Sequence, residues 1–518
     1  MLVSAAGAAC IAAPALAGTP VVVDRDIIYT KIATSPTSVV PGALDLAGLP
    51  AATNFRALED LIMSPDGSLW LLKARTQQGA DSETILMMGS GLTGSAFAQE
   101  GRPIIGGASG ELYDFFGSAI GSGRFNTLNQ FAFSARARGG SAAVFQKVIR
   151  WTGGASFTVP FAMGSSISGL LDTGFSGDET FGNSLGSVHL LDNGTIGTQD
   201  STIQNIATTR RPAIMYDQAA FHQSNVTSVT NLAGTGIEVW RSISANTFYS
   251  SADGTSYIAA GTVGTLSDAA LVVNNRVVMQ ANQLIPGTTV TFTAVFNNDM
   301  KANGDWYARG DDPADNDWAV ANGVLIAKTG DPIGPGAGEN WGTTFSAFNI
   351  NRNGDYVLVG DTNSANPAAD NVVVVNGVVV LREGDPVDVN GDGLFNDDAF
   401  VGRGTNTLAA FEPNDWVLTD DLQLYGFITL RNGAGQDLNS TPAFGAPQAF
   451  MRIALATPPV CPGDFTGDNQ IDTADLVILL GFFGQTVPVF TNGDMDGNGT
   501  VDTADLVLFL SVFASPCT

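Results

Sequence analysis

Along residues 18–456, polar turn residues and short apolar runs alternate with a long period. One recurring element is a turn rich in Asp, Asn and Gly, followed by a strand-like run. It appears as SPDGSLWLL at Ser64, NTLNQFAFS at Asn126, LDNGTIGTQ at Leu191, SADGTSYIA at Ser251, KANGDWYAR at Lys301, NRNGDYVLV at Asn351 and EPNDWVLTD at Glu412. The second element is a hairpin. LVVNNRVVMQ at Leu271, AVANGVLIAKTGDPI at Ala319 and VVVNGVVVLREGDPV at Val373 align with one another. Asn-Gly accepts positive φ at two successive positions, which suits a two-residue hairpin turn. A unit spacing of roughly 50 to 65 residues leaves room for four strands and their loops. Such a unit, repeated about seven times, predicts a mostly-β chain folded as a β-propeller of about seven blades, closed so that no long strand edge stays exposed. Two β-sandwich domains are the all-β alternative.

Beyond residue 456 the pattern changes. GDFTGDNQIDTADLVILLGFFG (Gly463–Gly484) and GDMDGNGTVDTADLVLFLSVFA (Gly493–Ala514) are near-copies. Each begins with the spacing of an EF-hand-type Ca²⁺ loop. Positions 1, 3, 5, 7, 9 and 12 are Asp464, Thr466, Asp468, Gln470, Asp472 and Asp475 in the first copy. In the second they are Asp494, Asp496, Asn498, Thr500, Asp502 and Asp505. Ca²⁺ takes roughly six to eight hard oxygens. Alternate residues of a tight loop turn theirs inward, position 7 offers its carbonyl, and position 12 closes the cage from the first turn of a helix. Gly499 supplies the sharp turn at position 6, and Asn469 takes that place in the first loop. Ile471 and Val501, at position 8, are expected to pair the two loops with each other. The tails DLVILLGFF and DLVLFLSVF read as short helices, apolar on nearly every side and expected to pack together. About 60 residues bury little surface unaided, so two metal ions and a disulfide are the expected staples. Cys461 and Cys517 bracket the segment and suit that disulfide; two free thiols are the alternative.

Composition narrows the function. The 518 residues carry a net charge of −27, with nine Glu against 41 Asp. Asp favours turns, caps and hard-cation sites where Glu favours helices. The negative charge disfavours nucleic acid as a partner. Two His and three Cys leave little material for zinc sites or Cys–His catalysis. Residues 1–17 are small and apolar, ending in Ala15-Leu16-Ala17, and read as a secretory signal peptide without a basic start. Cys10 lacks the branched residue that lipid attachment wants, since Gly7 stands there. No later run is apolar over the roughly 18 residues a membrane helix requires, so no transmembrane span is expected. The expected mature chain is secreted, or held at the cell surface. A repeat β-domain occupies 18–456 and a small calcium-binding module 457–518.

Two loop–helix units, each with Asp rather than Glu at position 12, resemble the type I dockerin repeat over about residues 461–518. The resemblance implies a small all-α module that folds on Ca²⁺, its two units related by a pseudo-twofold. It implies docking to a cohesin-like or cell-surface partner, with loop positions 10 and 11 helping to choose it. Here those are Thr473 and Ala474, then Thr503 and Ala504, the same pair twice, which suggests two equivalent docking orientations. Thr466 and Asn469 depart from the family pattern and are expected to weaken the first site. More loosely, the turns of 18–456 are similar to the N-x-x-G-x-x-A-F repeat of large secreted bacterial proteins. Asn126, Asn129, Ala132 and Phe133 keep that pattern except for its Gly, and Asn351 and Gly354 keep its first half. That family implies a repeat β-domain joined to an anchoring tail and assigns no chemistry.

Other candidate sites are weaker. Asp388, Asn390 and Asp392 have the first half of a Ca²⁺ loop, but position 12 is Ala399; a weak Ca²⁺ site closed by Asp397 or Asp398 and a plain polar loop are both open. The acidic stretch from Gly310 to Asp317 has no metal-ligand spacing and reads as a solvated loop. Gly182-Asn-Ser184-Leu-Gly186, with His189 beyond, matches a hydrolase nucleophile elbow, which needs a helix after the turn. SPDGSLW is one residue short of a sialidase Asp-box and reads as a blade turn. Trp70, Trp306, Trp318, Trp341 and Trp416 read as blade core rather than a sugar platform. No residue is singled out as catalytic. Two functions remain: a secreted non-catalytic binding or structural protein with a calcium-dependent docking tail, open to a polysaccharide ligand, or a glycoside hydrolase recruited by that tail.

Overall fold

The structure is a computed structural model. It describes residues 20–515 apart from 33–34, 43–48, 51, 117–123, 141–144, 170–178, 183, 201–202, 204–211, 336–337, 403–408, 439–446, 457–460 and 468–469. The signal-peptide reading therefore lies outside the described residues, as do Asp468, Asn469 and Cys517. Two compact units are present: residues 25–454 form one, and residues 1–24 with 455–518 the other. No helix among the described residues is long and apolar enough to cross a membrane.

The larger unit is mostly β and propeller-like. Phe55–Met63, Trp70–Thr76, Thr84–Ser90 and Thr93–Gln99 form a four-stranded antiparallel meander. Ala294–Met300 to Val324–Lys328 and Trp341–Ile350 to Val378–Arg382 repeat it twice more. A six-stranded sheet lies over Ser228–Thr230 to Arg276–Gln280. A nine-stranded sheet consists of two antiparallel arrays, joined where His189 pairs in parallel with Arg124. In the remaining sheet the first strand, Val21–Thr30, lies beside the last, Gln448–Ala456. Arg452 clamps that seam, its Nε donating to Asp26 at 2.9 Å.

The core lies between successive sheets. Trp70 and Leu72 of the first meander pack with Phe427 and Phe450 of the closing sheet. On the meander's other face, Leu71 and Leu86 pack with Phe131 and Ile149. The same relation continues along the chain from Ala132 and Val148 to Val188 and Met215, and from Ile214 to Trp240 and Val272. It then runs from Leu271 to Trp318 and from Tyr307 to Phe348 and Val374. A strand covered on both faces reads as a continuous apolar run rather than an alternation. Val372–Val375, four fully buried valines in succession, is the clearest case.

Seven matching turns join paired strands. Ser64–Leu69, Asn126–Gln130, Leu191–Thr195, Ser251–Ser256, Lys301–Asp305, Asn351–Asp355 and Thr419–Gln423 are each closed by a backbone hydrogen bond from the first residue's N–H to the last one's carbonyl. Six of them are the turns expected from the sequence. The seventh is a correction: the matching turn is Thr419–Gln423, and Glu412–Asp415 precedes its strand. Leu422, at φ 59°, occupies the left-handed position that glycine holds in most of the others, so the usual sequence signal is missing. Neighbouring turns are bonded to one another. Asn129 Nδ2 donates to Asp66 at 2.7 Å, Thr127 N to Asp192 at 2.9 Å, and Arg352 N to Asp420 at 2.8 Å. Asp192 N and Ala252 N donate to the carbonyls of Ala252 and Ala302 at 2.8 and 2.9 Å.

The smaller unit carries the two helices among the described residues, α1 (Thr473–Phe482) and α2 (Thr503–Val512). Each opens on a reciprocal cap: Asp472 with Asp475, and Asp502 with Asp505. Each ends at a left-handed residue, Gly484 at φ 78° and Ala514 at φ 61°.

Candidate functional site

The duplicated segment folds into two matching loop–helix units. In the second, the Asp505 carboxylate accepts N–H bonds from Met495 at 2.7 Å, Asp496 at 3.2 Å and Asp502 at 2.8 Å. In the first, Asp475 accepts from Phe465 at 2.8 Å, Thr466 at 2.9 Å and Asp472 at 2.9 Å. The position-1 residues match as well: Gly467 N donates to Asp464 at 2.7 Å and Gly497 N to Asp494 at 3.0 Å. Asp475 and Asp505 are fully buried and Asp494 nearly so. Asp494, Asp496 and Asp505 bring carboxylate oxygens within 4.8 Å of one another. Burial pushes the Asp496 carboxyl above its usual range, and the charges of Asp505 and Asp494 push it further. A hard divalent cation neutralises such a cluster, so the donor set fits Ca²⁺. Gly499 is at φ 77°, in the left-handed region expected at position 6. Asn498 and Thr500 lie on the exposed side of the second loop.

Two expectations for this unit need correction. Among the described residues Ile471 and Val501 share the small core, but their backbones are not bonded to each other. Ala514 N donates to the Ile471 carbonyl at 2.8 Å, and Gly484 N to the Val501 carbonyl at 2.7 Å. Each loop is thus tied to the end of the other unit's helix, which a chain with two offset copies can satisfy symmetrically. Nor do the helix tails bury all their apolar surface. Leu479 and Phe509 are fully buried with Ile471, Val487 and Val501. Val477, Leu480, Val507 and Leu510 remain 52–68 % exposed. Thr473, Ala474, Thr503 and Ala504 are exposed at the starts of the same helices. Cys461 is disulfide-bonded. It packs against the small core.

The Asp388 loop is closed by its own amides. Asp388 accepts from Asn390, Gly391 and Gly393 N–H groups, and Asp397 turns back to accept from Val389 and Asn390. Asp398 turns away, accepting from Gly433 N. Asp312, in the acidic stretch, accepts from Ala314 and Asn316 and pairs with Lys328 at 3.1 Å. Ser184 runs directly into the strand Leu185–Leu190, so no nucleophile elbow forms. His189 instead donates from Nδ1 to the Ser187 carbonyl at 2.7 Å, leaving Nε2 to accept from Ser250 Oγ at 3.0 Å. Burial lowers its pKa to about 4, against the opposing Ser187 hydrogen bond, so the ring is neutral near pH 7. Trp70, Trp318, Trp341 and Trp416 are buried, as is Trp306.

A polar cavity of about 300 Å³ lies in the larger unit, lined among others by Asp60, Arg124, Tyr249, Asp299, Lys301, Tyr307 and Asp415. No local sequence signal marks it, because its walls come from strands scattered along most of the chain. Arg124 Nε donates to both Asp299 oxygens at 3.0 Å, and its guanidinium lies 4.4 Å over the Tyr249 ring. Asp415 accepts from Leu61 N at 3.2 Å. Burial raises its pKa to about 7, helped by the charge of Asp60. Folding therefore disfavours the Asp415 anion. The stability tied to its proton is complete below the unfolded pKa near 4 and is lost as pH rises to about 7, by up to about 1.4 kcal/mol per unit. Asp415→Asn is expected to flatten this part of the urea-midpoint profile between pH 4 and 7 and to be more stable than the parent at pH 8. Parallel profiles for variant and parent would contradict this account of the carboxyl.

No family model matches the chain, and no curated relative does. Among solved structures it is similar to the β-propeller domain of Myceliophteria thermophila Cps50 (Swd1), at 8 % identity and a TM-score of 0.29, over 65 % of this chain and 90 % of that one. It is also similar to prolyl oligopeptidase B from Galerina marginata, at 10 % identity and a TM-score of 0.31, over 73 % of this chain. It spans only 56 % of that enzyme's chain. A protein of unknown function from Dyadobacter fermentans is matched over 84 % of this chain and 99 % of its own, at 10 % identity and a TM-score of 0.29. Likeness at this level assigns no activity.

Proposed function

We propose that the chain is a secreted, non-catalytic binding or structural protein, in which a seven-bladed propeller is presented by a calcium-folded, dockerin-type docking module. The observation that carries the reading is the duplicated loop. Position 12 of each copy is a fully buried Asp held by three backbone amides. In the second copy, three carboxylates converge within 4.8 Å. Asp464, Asp468, Asp472 and Asp475, with Thr466 and the Gln470 carbonyl, form the first proposed Ca²⁺ cage. Asp494, Asp496, Asn498, Asp502 and Asp505, with the Thr500 carbonyl, form the second. The ion supplies the positive charge that holds these oxygens together. A disulfide between Cys461 and Cys517 closes the module. The exposed stripe of Ala474, Val477 and Leu480 on α1 is repeated by Ala504, Val507 and Leu510 on α2, and such apolar stripes mark docking faces. The proposed partner is a cohesin-like or cell-surface protein. Seven matching turns support seven blades, with the nine-stranded sheet counted as two.

Calorimetric Ca²⁺ titration of the full chain, with far-ultraviolet circular dichroism before and after chelation, tests the module. Two sites and a helical signal that chelation removes and Ca²⁺ restores are expected. One site would implicate Thr466 and Asn469 in the first loop. No heat and an unchanged spectrum would sink the calcium-folded reading.

A further inference from the structure

In the cavity of the larger unit, Lys301 is held only loosely by its acid partner. Asp299 is already committed. It accepts from Arg124 Nε at 3.0 Å on both oxygens, from Tyr307 Oη at 3.3 Å and from Met300 N at 2.8 Å. Lys301 has long contacts: its Nζ is 3.4 Å from Asn349 Oδ1, 3.7 Å from the nearer Asp299 oxygen and 5.2 Å from the centre of the Tyr307 ring. The side chain is only 17 % exposed. Burial lowers its pKa, against the attraction of Asp299, and the neighbouring Arg124 charge lowers it further. An ammonium carries three donors and is best satisfied by a short contact to a charged acceptor. A ligand anion at Lys301 supplies that contact.

The rest of the wall says what the anion carries. Asn246, Asn297, Asn349 and Asn414 line the same cavity, together with Tyr249 and Tyr307. Part of their hydrogen-bonding capacity is used internally: Asn349 Nδ2 donates to Tyr307 Oη, Asn297 Nδ2 to Asn414 Oδ1 and Tyr249 Oη to the Asn246 carbonyl. The remaining carboxamide donors and acceptors match a row of hydroxyl groups. Asp415, whose carboxyl gains a proton near neutral pH, adds a group able to donate or accept. The volume of about 300 Å³ is at the small end of ligand pockets, enough for one sugar-sized ring.

We propose that this cavity binds a small hydroxylated carboxylate of the sugar-acid class, its carboxylate at Lys301 and its hydroxyls on the Asn and Tyr side chains. The site lies in the repeat domain, goes beyond the docking reading and does not depend on it.

The test is calorimetric titration of the full chain with D-glucuronate and D-galacturonate at neutral pH, in saturating Ca²⁺, with D-glucose and acetate as comparison ligands. At least one uronate is expected to bind one site per chain, at least tenfold tighter than glucose or acetate. Lys301→Met is expected to weaken that binding at least tenfold, and Lys301→Arg to restore part of it. Asn297→Ala tests the hydroxyl side independently, with an expected several-fold loss. Circular dichroism and the urea midpoint establish that each variant is folded. Absence of heat with both uronates overturns the proposal. So does acetate binding equally well, which marks a simple anion site, or glucose binding equally well, which marks a neutral-sugar site. Unchanged uronate affinity in a folded Lys301→Met overturns the assignment of the carboxylate to Lys301.

Discussion

Asp505→Ala is expected to unfold α2 and its loop while leaving the repeat domain folded. The Asp505 carboxylate is fully buried and accepts three backbone N–H bonds, one of them from its own helix cap. Hydrogen bonds to a charged acceptor are worth about 1.5–3 kcal/mol each, and buried donors left without a partner cost more than the bond itself returns. The variant also loses the proposed closing ligand of the second Ca²⁺ site. The unit's core centres on five buried side chains, Ile471, Leu479, Val487, Val501 and Phe509, too few to absorb a loss of about 3 kcal/mol or more. Thermal scans in Ca²⁺ are expected to lose the transition belonging to the helical unit and keep that of the β-domain. Asp505→Asn, which retains an acceptor oxygen but not the charge, is expected to fall between the two. A helical transition in Asp505→Ala equal to the parent's would show that this carboxylate holds neither loop nor helix.

Gly310→Ala is expected to destabilise the β-domain by about 3 kcal/mol. A Cβ at Gly310 lies 1.8 Å from the Ala294 carbonyl oxygen and 2.6 Å from Cζ2 of Trp318. Neither can yield cheaply. The first is backbone in a paired strand. The indole is fully buried, and its Nε1 donates to the Asp311 carbonyl at 2.8 Å. The same glycine-under-indole contact recurs at Gly89 with Trp70, Gly261 with Trp240 and Gly426 with Trp416, so it is a feature of the repeat. Gly79→Ala is the control: nothing lies within 4 Å of its Cβ position. The urea midpoint is expected to drop for Gly310→Ala and to stay near the parent value for Gly79→Ala. Equal midpoints in the two variants would mean that the strands spread to admit the methyl group.

What was legible in the chain was local. Asn322-Gly323 and Asn376-Gly377 have positive φ at both positions, as their hairpin chemistry requires, and Asn274-Asn275 does the same without glycine. Six of the seven matching turns, the alternate acidic positions of the two loops and the capping residues of both helices are likewise set by neighbours a few positions away. Backbone conformation and short hydrogen bonds act over that range, so residue identity alone determines them. The seventh turn escaped because Leu422 adopts its left-handed angle without the glycine that would announce it. Only the tertiary structure decided which apolar positions stay exposed. The helix tails look apolar throughout, yet Leu479 and Phe509 are buried while Val477 and Val507 are not. That choice depends on where the other unit's loop lies. The cavity shows the same limit most clearly. Arg124, the Asp299–Lys301 pair and Asp415 are distant in sequence and meet because successive sheets bring their strands to one place. Burial there is the largest influence on the charge of Asp415 and on Lys301, and it follows from removing water.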